Sequence, residues 1–173
     1  MAFTVEDGTF VAGANAYETV VEFKAYHDER GVDYATVLTS DTLIEQAIVK
    51  ATDYVEHRWA GRFLGCIEDQ DQNLSFPRLY IRGPNGRLLT GVPTLLKDAI
   101  SIYALAAGSG SLFATPELDA TGQTIKRLRE KVGPIETETE YHEGGLVSEL
   151  VPNPAADRLI AHLTLSTSGV IRA

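Results

Sequence analysis

Apolar residues recur at spacings of three and four over Ile44, Ala47, Ile48, Ala51, Tyr54 and Val55. That spacing draws one stripe down the face of a helix. Thr39 or Ser40 stands where the helix needs a cap, and Trp59 closes the stripe before Gly61. A second run follows Pro93 through Leu95, Leu96, Ala99, Ile100, Tyr103, Ala104 and Ala107, with Gly108 as its stop. Proline suits a first helical turn, where its missing N–H costs nothing. This run is apolar almost all round, which predicts the buried centre of a helical bundle. An earlier helix is predicted over residues 14–29, with Asn15 as cap and Glu18 reaching back as in a capping box; Val20, Val21 and Phe23 form its apolar side. Asn153-Pro154 opens a last helix over Ala155, Leu159, Ile160 and Leu163.

Between these helices the pattern changes. Residues 61–91 are punctuated by glycine, proline, asparagine and aspartate. A connection of about thirty residues is uncommon in a compact domain and is usually functional or mobile. Within it Gly83-Pro84-Asn85-Gly86 predicts a turn, with residues 79–82 and 87–90 as the arms of a small hairpin. Residues 108–122 read as a loop and 124–131 as a short helix. Ile135, Thr137, Thr139 and Tyr141 then alternate with Glu136, Glu138 and Glu140, which is strand spacing. The predicted fold is mainly α: a small helical bundle with a long central loop or hairpin and a short β element toward the C-terminal part. One domain spans residues 1–173, and residues 61–91 and the tail 166–173 are read as mobile or assembly segments.

The formal charge of −9 changes the picture, because a chain that grips phosphates needs clustered lysine and arginine. The only dense basic run, Lys126-Arg127-Leu128-Arg129-Glu130-Lys131, reads as a solvated helix face. The balance argues against a stand-alone DNA binder, though not against a protein that DNA slides past. Cys66 is the only cysteine, so no disulfide forms within the chain. Acidic residues follow the first few positions and no run reaches the roughly 18 apolar residues of a membrane span, so a soluble protein made in the cytosol is expected.

Catalytic chemistry needs a constellation, and none is legible. His27, His57, His142 and His162 are scattered, without a second ligand at helical spacing. An HExxH pair, a P-loop and a nucleophile elbow are missing. Asp69 and Asp71 lie in a stretch without the glycine and glutamate of a calcium loop. Gly108-Ser109-Gly110-Ser111 lacks the lysine of a phosphate loop. Trp59 ends an apolar stripe, which suits a core or interface residue better than a base-stacking platform. The chain is therefore expected to be non-enzymatic, with no catalytic residue, cofactor or metal.

Several stretches taken in order resemble one phage family. They are Val5-Glu6-Asp7-Gly8-Thr9, residues 11–17 with Tyr26-His27 and Arg30-Gly31, the helix 47–55, Gly61-Arg62, residues 72–78, Val92-Pro93, and Lys131-Val132-Gly133-Pro134-Ile135. The family is often labelled DnaT-like single-stranded-DNA-binding protein, and its structural relatives are head-to-tail adaptor, or connector, subunits. Phe76 stands where that family usually has tryptophan, and residues 109–123 do not align. The resemblance implies a ring, usually twelvefold, that docks on the portal protein, extends the DNA channel and receives the next connector or a tail-completion protein. The expected place is the head–tail neck of the virion. The DnaT-like label implies instead a single-stranded-DNA-binding replication accessory.

Two surfaces follow as expectations. Leu74, Phe76, Leu79, Tyr80 and Ile81 are too apolar for an idle loop and, with Pro77 and Arg78, are candidates for a subunit or portal interface. Glu136, Glu138 and Glu140 share one side of a strand and are candidates for the channel wall, where carboxylates keep passing DNA from binding tightly.

Overall fold

The helices form where the apolar stripes place them: α1 is Val20–Asp28, α2 Asp41–Trp59, α3 Thr94–Ser109 and α4 Pro154–Ala161. A 3-10 turn, Ala60–Arg62, follows α2, and the described residues also include four short strands, β1 Cys66–Ile67, β2 Arg78–Leu79, β3 Ile125–Lys131 and β4 Glu136–Tyr141. This computed structural model describes residues 2–113, 125–131, 136–141 and 150–165, with β3 and β4 described by their backbone. The chain divides into two compact units, Met1–Leu112 with Pro152–Ala173, and Phe113–Val151. The protein is mainly helical, as its periodicity predicts.

In the first unit α3 packs against each of the other three helices. All six residues of the α2 stripe are buried, and they meet Leu96, Ala99, Ile100, Tyr103 and Ala104 of α3 in one core. The rings of Tyr54 and Tyr103 meet at 4.9 Å between centroids, their planes tilted by 54°. Each fully buried large side chain stabilises the fold by about 1.5–3 kcal/mol relative to exposure. The Ser40 side chain caps α2 by accepting from the Leu43 N–H. Gly108 lies inside α3 rather than ending it. A Cβ there would come within 2.7 Å of Leu38 Cδ2, so the glycine lets Leu38 close on the helix.

The first helix begins later than its sequence predicts, at Val20, and Thr19 rather than Asn15 caps it. Thr19 and Glu22 form the capping box: the Glu22 N–H donates to Thr19 Oγ1, and the Thr19 N–H donates to Glu22 Oε2 at 2.8 Å. The same polar-x-x-Glu spacing occurs at Asn15 and Glu18, but those side chains have tertiary partners. Asn15 Oδ1 accepts from the Thr4 N–H at 2.9 Å and its Nδ2 donates to the Ala2 carbonyl. Ala16 pairs with Val5 in a parallel bridge. Val21 faces water, 75% exposed, while Phe23 and His27 provide the buried side. Before it, the arm is wound around the buried Glu6, whose carboxylate accepts from the N–H groups of Gly8, Phe10 and Val11 at 2.8–3.1 Å.

Asn153 caps α4 by accepting from the Ala155 and Ala156 N–H groups, with Pro154 in the first turn. Ala156 and Ile160 are its buried side, Leu163 is buried just beyond it, and Asp157 ties it to α2 through Arg58 Nη2 at 2.8 Å. Leu64 N–H donates to the Leu163 carbonyl and Leu165 N–H to that of Arg62, so the chain after α4 lies along the start of the central segment. Among the described residues, no helix is long and apolar enough to cross a membrane.

In the second unit β3 and β4 pair antiparallel, and Phe113 bridges Leu150. Of residues 124–131, predicted as a short helix, Ile125–Lys131 form a strand instead. The register opposes Lys131 to Glu136, Arg129 to Glu138 and Arg127 to Glu140. Basic and acidic residues thus stand at paired register positions, a sequence pattern that favours strand pairing. The tail 166–173 lies outside the described residues.

Candidate assembly surface

The central segment is held to the first unit by two polar anchors. Arg78 is 8% exposed, and its guanidinium donates to four carbonyls: Leu64 at 2.8 Å, Gly65 at 3.0 Å, and Phe63 and Ser75 at 3.4 Å. A rigid planar fork suits this work, because it meets several acceptors from one side chain. The second anchor is Glu56 on α2. Its carboxylate accepts from the Ser75 hydroxyl at 2.6 Å, the Ser75 N–H at 3.2 Å and the Tyr17 hydroxyl. Phe76 follows, fully buried, with its ring edge-on to Phe63 at 4.9 Å and to Tyr17 at 6.2 Å. The Phe76–Pro77 peptide bond is cis.

The seven candidate interface residues separate by burial. Phe76, Pro77, Arg78 and Ile81 are buried in their own subunit, Leu74 is half-buried, and Leu79 and Tyr80 are exposed. Cys66 and Ile67 pair with Leu79 and Arg78 across β1 and β2. The close crossing there requires Gly65, since a Cβ would lie 2.1 Å from the Leu79 carbonyl oxygen. The turn at 83–86 forms as predicted: Gly83 N–H donates to the Arg87 carbonyl, Leu89 N–H to that of Ile81, and Arg82 bridges Leu88. The segment thus presents Ile67, Leu79, Tyr80 and Leu88 to water, and Tyr80 is 77% exposed. Tyr80 also holds φ at +62°, a left-handed conformation that is uncommon for residues other than glycine and costs about 1–3 kcal/mol.

Glu136, Glu138 and Glu140 occupy alternate positions of β4, each opposite a basic position of β3. Sequence reasoning misses this pairing because it assigns the basic run to a helix.

Trp59 is 6% exposed, and the guanidinium groups of Arg58 and Arg62 lie 4.7 and 4.8 Å from its ring. It is a covered residue, not an open stacking face. Among the described residues no group of three His, Cys, Asp or Glu side chains could hold a metal ion. His57 and His162 are exposed and His27 is buried; His142 lies outside the described residues.

One polar cluster escapes sequence reasoning altogether. Glu18, Ser101 and His27 converge between α1 and α3, all buried. Ser101 Oγ donates to Glu18 Oε2 at 2.6 Å. His27 Nε2 lies 3.1 Å from the Ser101 carbonyl oxygen; a carbonyl only accepts, so Nε2 carries the proton. The histidine therefore meets the serine's backbone rather than its hydroxyl, which differs from a nucleophile–base arrangement. Burial pushes the Glu18 carboxyl up to about 8, against the effect of the Ser101 bond. Burial also holds the His27 imidazole below its ordinary range. In the sequence, the spacing of Asn15 and Glu18 reads as a capping box and gives no sign of this cluster.

No curated protein and no solved structure matches the chain. A family model described as "Putative DnaT-like ssDNA binding protein" matches residues 1–173, and the chain belongs to that family.

Proposed function

We propose that the chain is a structural assembly subunit, a ring-forming adaptor that joins the portal vertex of a phage capsid to the tail or the next connector and extends the DNA channel. The observation that carries this reading is the exposed apolar set Ile67, Leu79, Tyr80 and Leu88 on a segment anchored by Arg78 and Glu56. Large apolar side chains held toward water on a fixed frame mark interaction surfaces. A ring closed by rotation needs two complementary surfaces on each subunit, and this segment supplies one. The net charge of −9 supports passage of DNA rather than its retention. In this reading the protein is not an enzyme, and its place is the virion neck. Native mass spectrometry of the purified chain, alone and with the portal protein of the same phage, tests it. A portal-bound ring is the expected product; a chain that stays monomeric with and without portal overturns the reading.

The family match favours a second reading, a single-stranded-DNA-binding accessory, over the adaptor. Tyr80 with the nearby exposed Arg82 and Arg87 gives it a local aromatic and cationic surface of the kind on which bases stack. Fluorescence anisotropy with a labelled oligonucleotide separates the two. Sub-micromolar, salt-dependent binding that Tyr80→Ala abolishes establishes the second reading, and negligible binding at physiological salt removes it.

A further inference from the structure

A cavity of about 320 Å³ opens between α1 and α3, with Glu18 among its lining residues. Glu18 is 1% exposed. Its Oε2 is bonded to Ser101, but its Oε1 has no hydrogen-bond partner among the described residues. A buried carboxyl oxygen without a hydrogen-bond partner is costly and calls for an explanation.

The cations that line the same cavity are already engaged. Lys97 Nζ lies 2.6 Å from Glu22 Oε1. Arg30 sits 3.6 Å over the Tyr26 ring, donates to the Tyr26 carbonyl at 2.9 Å, and pairs with Glu29 at 3.7 Å. Glu18 and Asp98 thus remain as carboxyls without an ion pair among the described residues. The chemistry that completes this site is positive and carries N–H donors.

We propose that the cavity between α1 and α3 binds an organic monocation, a primary ammonium or guanidinium group, that donates to Glu18 Oε1 with Asp98 balancing its charge. The volume suits one such group on a short alkyl chain, as on a lysine or arginine side chain of a partner protein or at one end of a polyamine. Charge-assisted bonds of this kind are among the stronger polar contacts.

Proton linkage gives the site a signature. Burial raises the Glu18 carboxyl to about 8, so near neutral pH it holds a proton that the entering cation must displace. From α3, Lys97 favours ionisation and Asp98 opposes it; from α1, Glu22 opposes it. Glu29 and Arg30 complete the rim, and His27, on α1, is tied to the Ser101 carbonyl. Affinity therefore rises with pH through the Glu18 titration, by about tenfold between pH 7 and pH 9.

The test is an NMR amide-shift titration of the full chain with n-butylammonium, ethylguanidinium and spermidine, and with tetramethylammonium as a cation lacking N–H. Saturable shifts around Glu18, Lys97 and Ser101, tightening about tenfold from pH 7 to pH 9 and lost in Glu18→Gln, are expected. Preference for spermidine over both alkyl probes assigns the group to a polyamine, and the reverse order to a protein side chain. Absence of saturable shifts, an equal response to tetramethylammonium, or a flat pH dependence overturns the proposal. So does undiminished binding to a folded Glu18→Gln chain. If that variant does not fold, the wild-type pH profile and the tetramethylammonium control decide the matter.

Discussion

The Tyr17 hydroxyl donates to the Glu56 carboxylate and accepts from the Phe76 N–H, so one phenol joins the N-terminal arm, α2 and the central segment. Glu56 holds Ser75 through two further bonds. Replacing Glu56 by alanine strands these donors. We expect a loss of about 2–3 kcal/mol, as for removal of a charged partner in a part-buried network, with Glu56→Gln costing less. Urea unfolding measures it, and an unchanged midpoint would show that water replaces the carboxylate.

Arg78→Lys tests the other anchor. A lysine keeps the charge but has a single ammonium for carbonyls that the guanidinium spans from several nitrogens. Stability should fall by about 1–3 kcal/mol, and hydrogen exchange should accelerate across residues 63–79 while the α2 amides stay protected. Uniform acceleration through α2 would mean that the segment and the helices open together.

For Glu18 the sign is set by its raised carboxyl, about 8 against an ordinary 4.5. The folded state keeps a proton that the unfolded chain releases. Its contribution is therefore fullest below 4.5 and is lost as the pH rises toward 8, on the order of 5 kcal/mol across that window. Glu18→Gln retains a neutral side chain at every pH. Its stability relative to wild type should rise from pH 5 to pH 8.5, and parallel melting curves at the two pH values would contradict the assignment.

Tyr80→Gly separates folding from assembly. Glycine adopts φ of +62° without strain, so the melting temperature should hold or rise slightly. The exposed ring is lost, and portal-dependent ring formation in native mass spectrometry should drop. Rings that form as before would move the interface away from this segment.

Much of the first unit is legible in the sequence because packing follows periodicity there. Ile44 through Val55 and Leu96 through Ala104 fall on the buried faces that their spacings predict, and Ser40 and Asn153 cap where expected. Legibility fails where one local pattern has two outcomes. Asn15 and Glu18 match a capping box as well as Thr19 and Glu22 do, and tertiary partners decide between them. Residues 125–131 are short enough to be helix or strand, and the opposing acidic positions of β4 decide. The candidate surface was half legible: an apolar run is visible in sequence, but alternation does not reveal that Phe76 and Ile81 turn inward while Tyr80 faces water. The Glu18 cavity was not legible, since its charged groups come from helices more than 70 positions apart in the chain.

The winding of the N-terminal arm around Glu6 has a consequence for nucleic acid. Successive backbone N–H groups converging on one point make a concave cradle that elsewhere receives a phosphate. Here the amides of Gly8, Phe10 and Val11 converge on the chain's own carboxylate. The cradle is filled from within, so the arm presents a sugar–phosphate backbone with an occupied seat and a like charge.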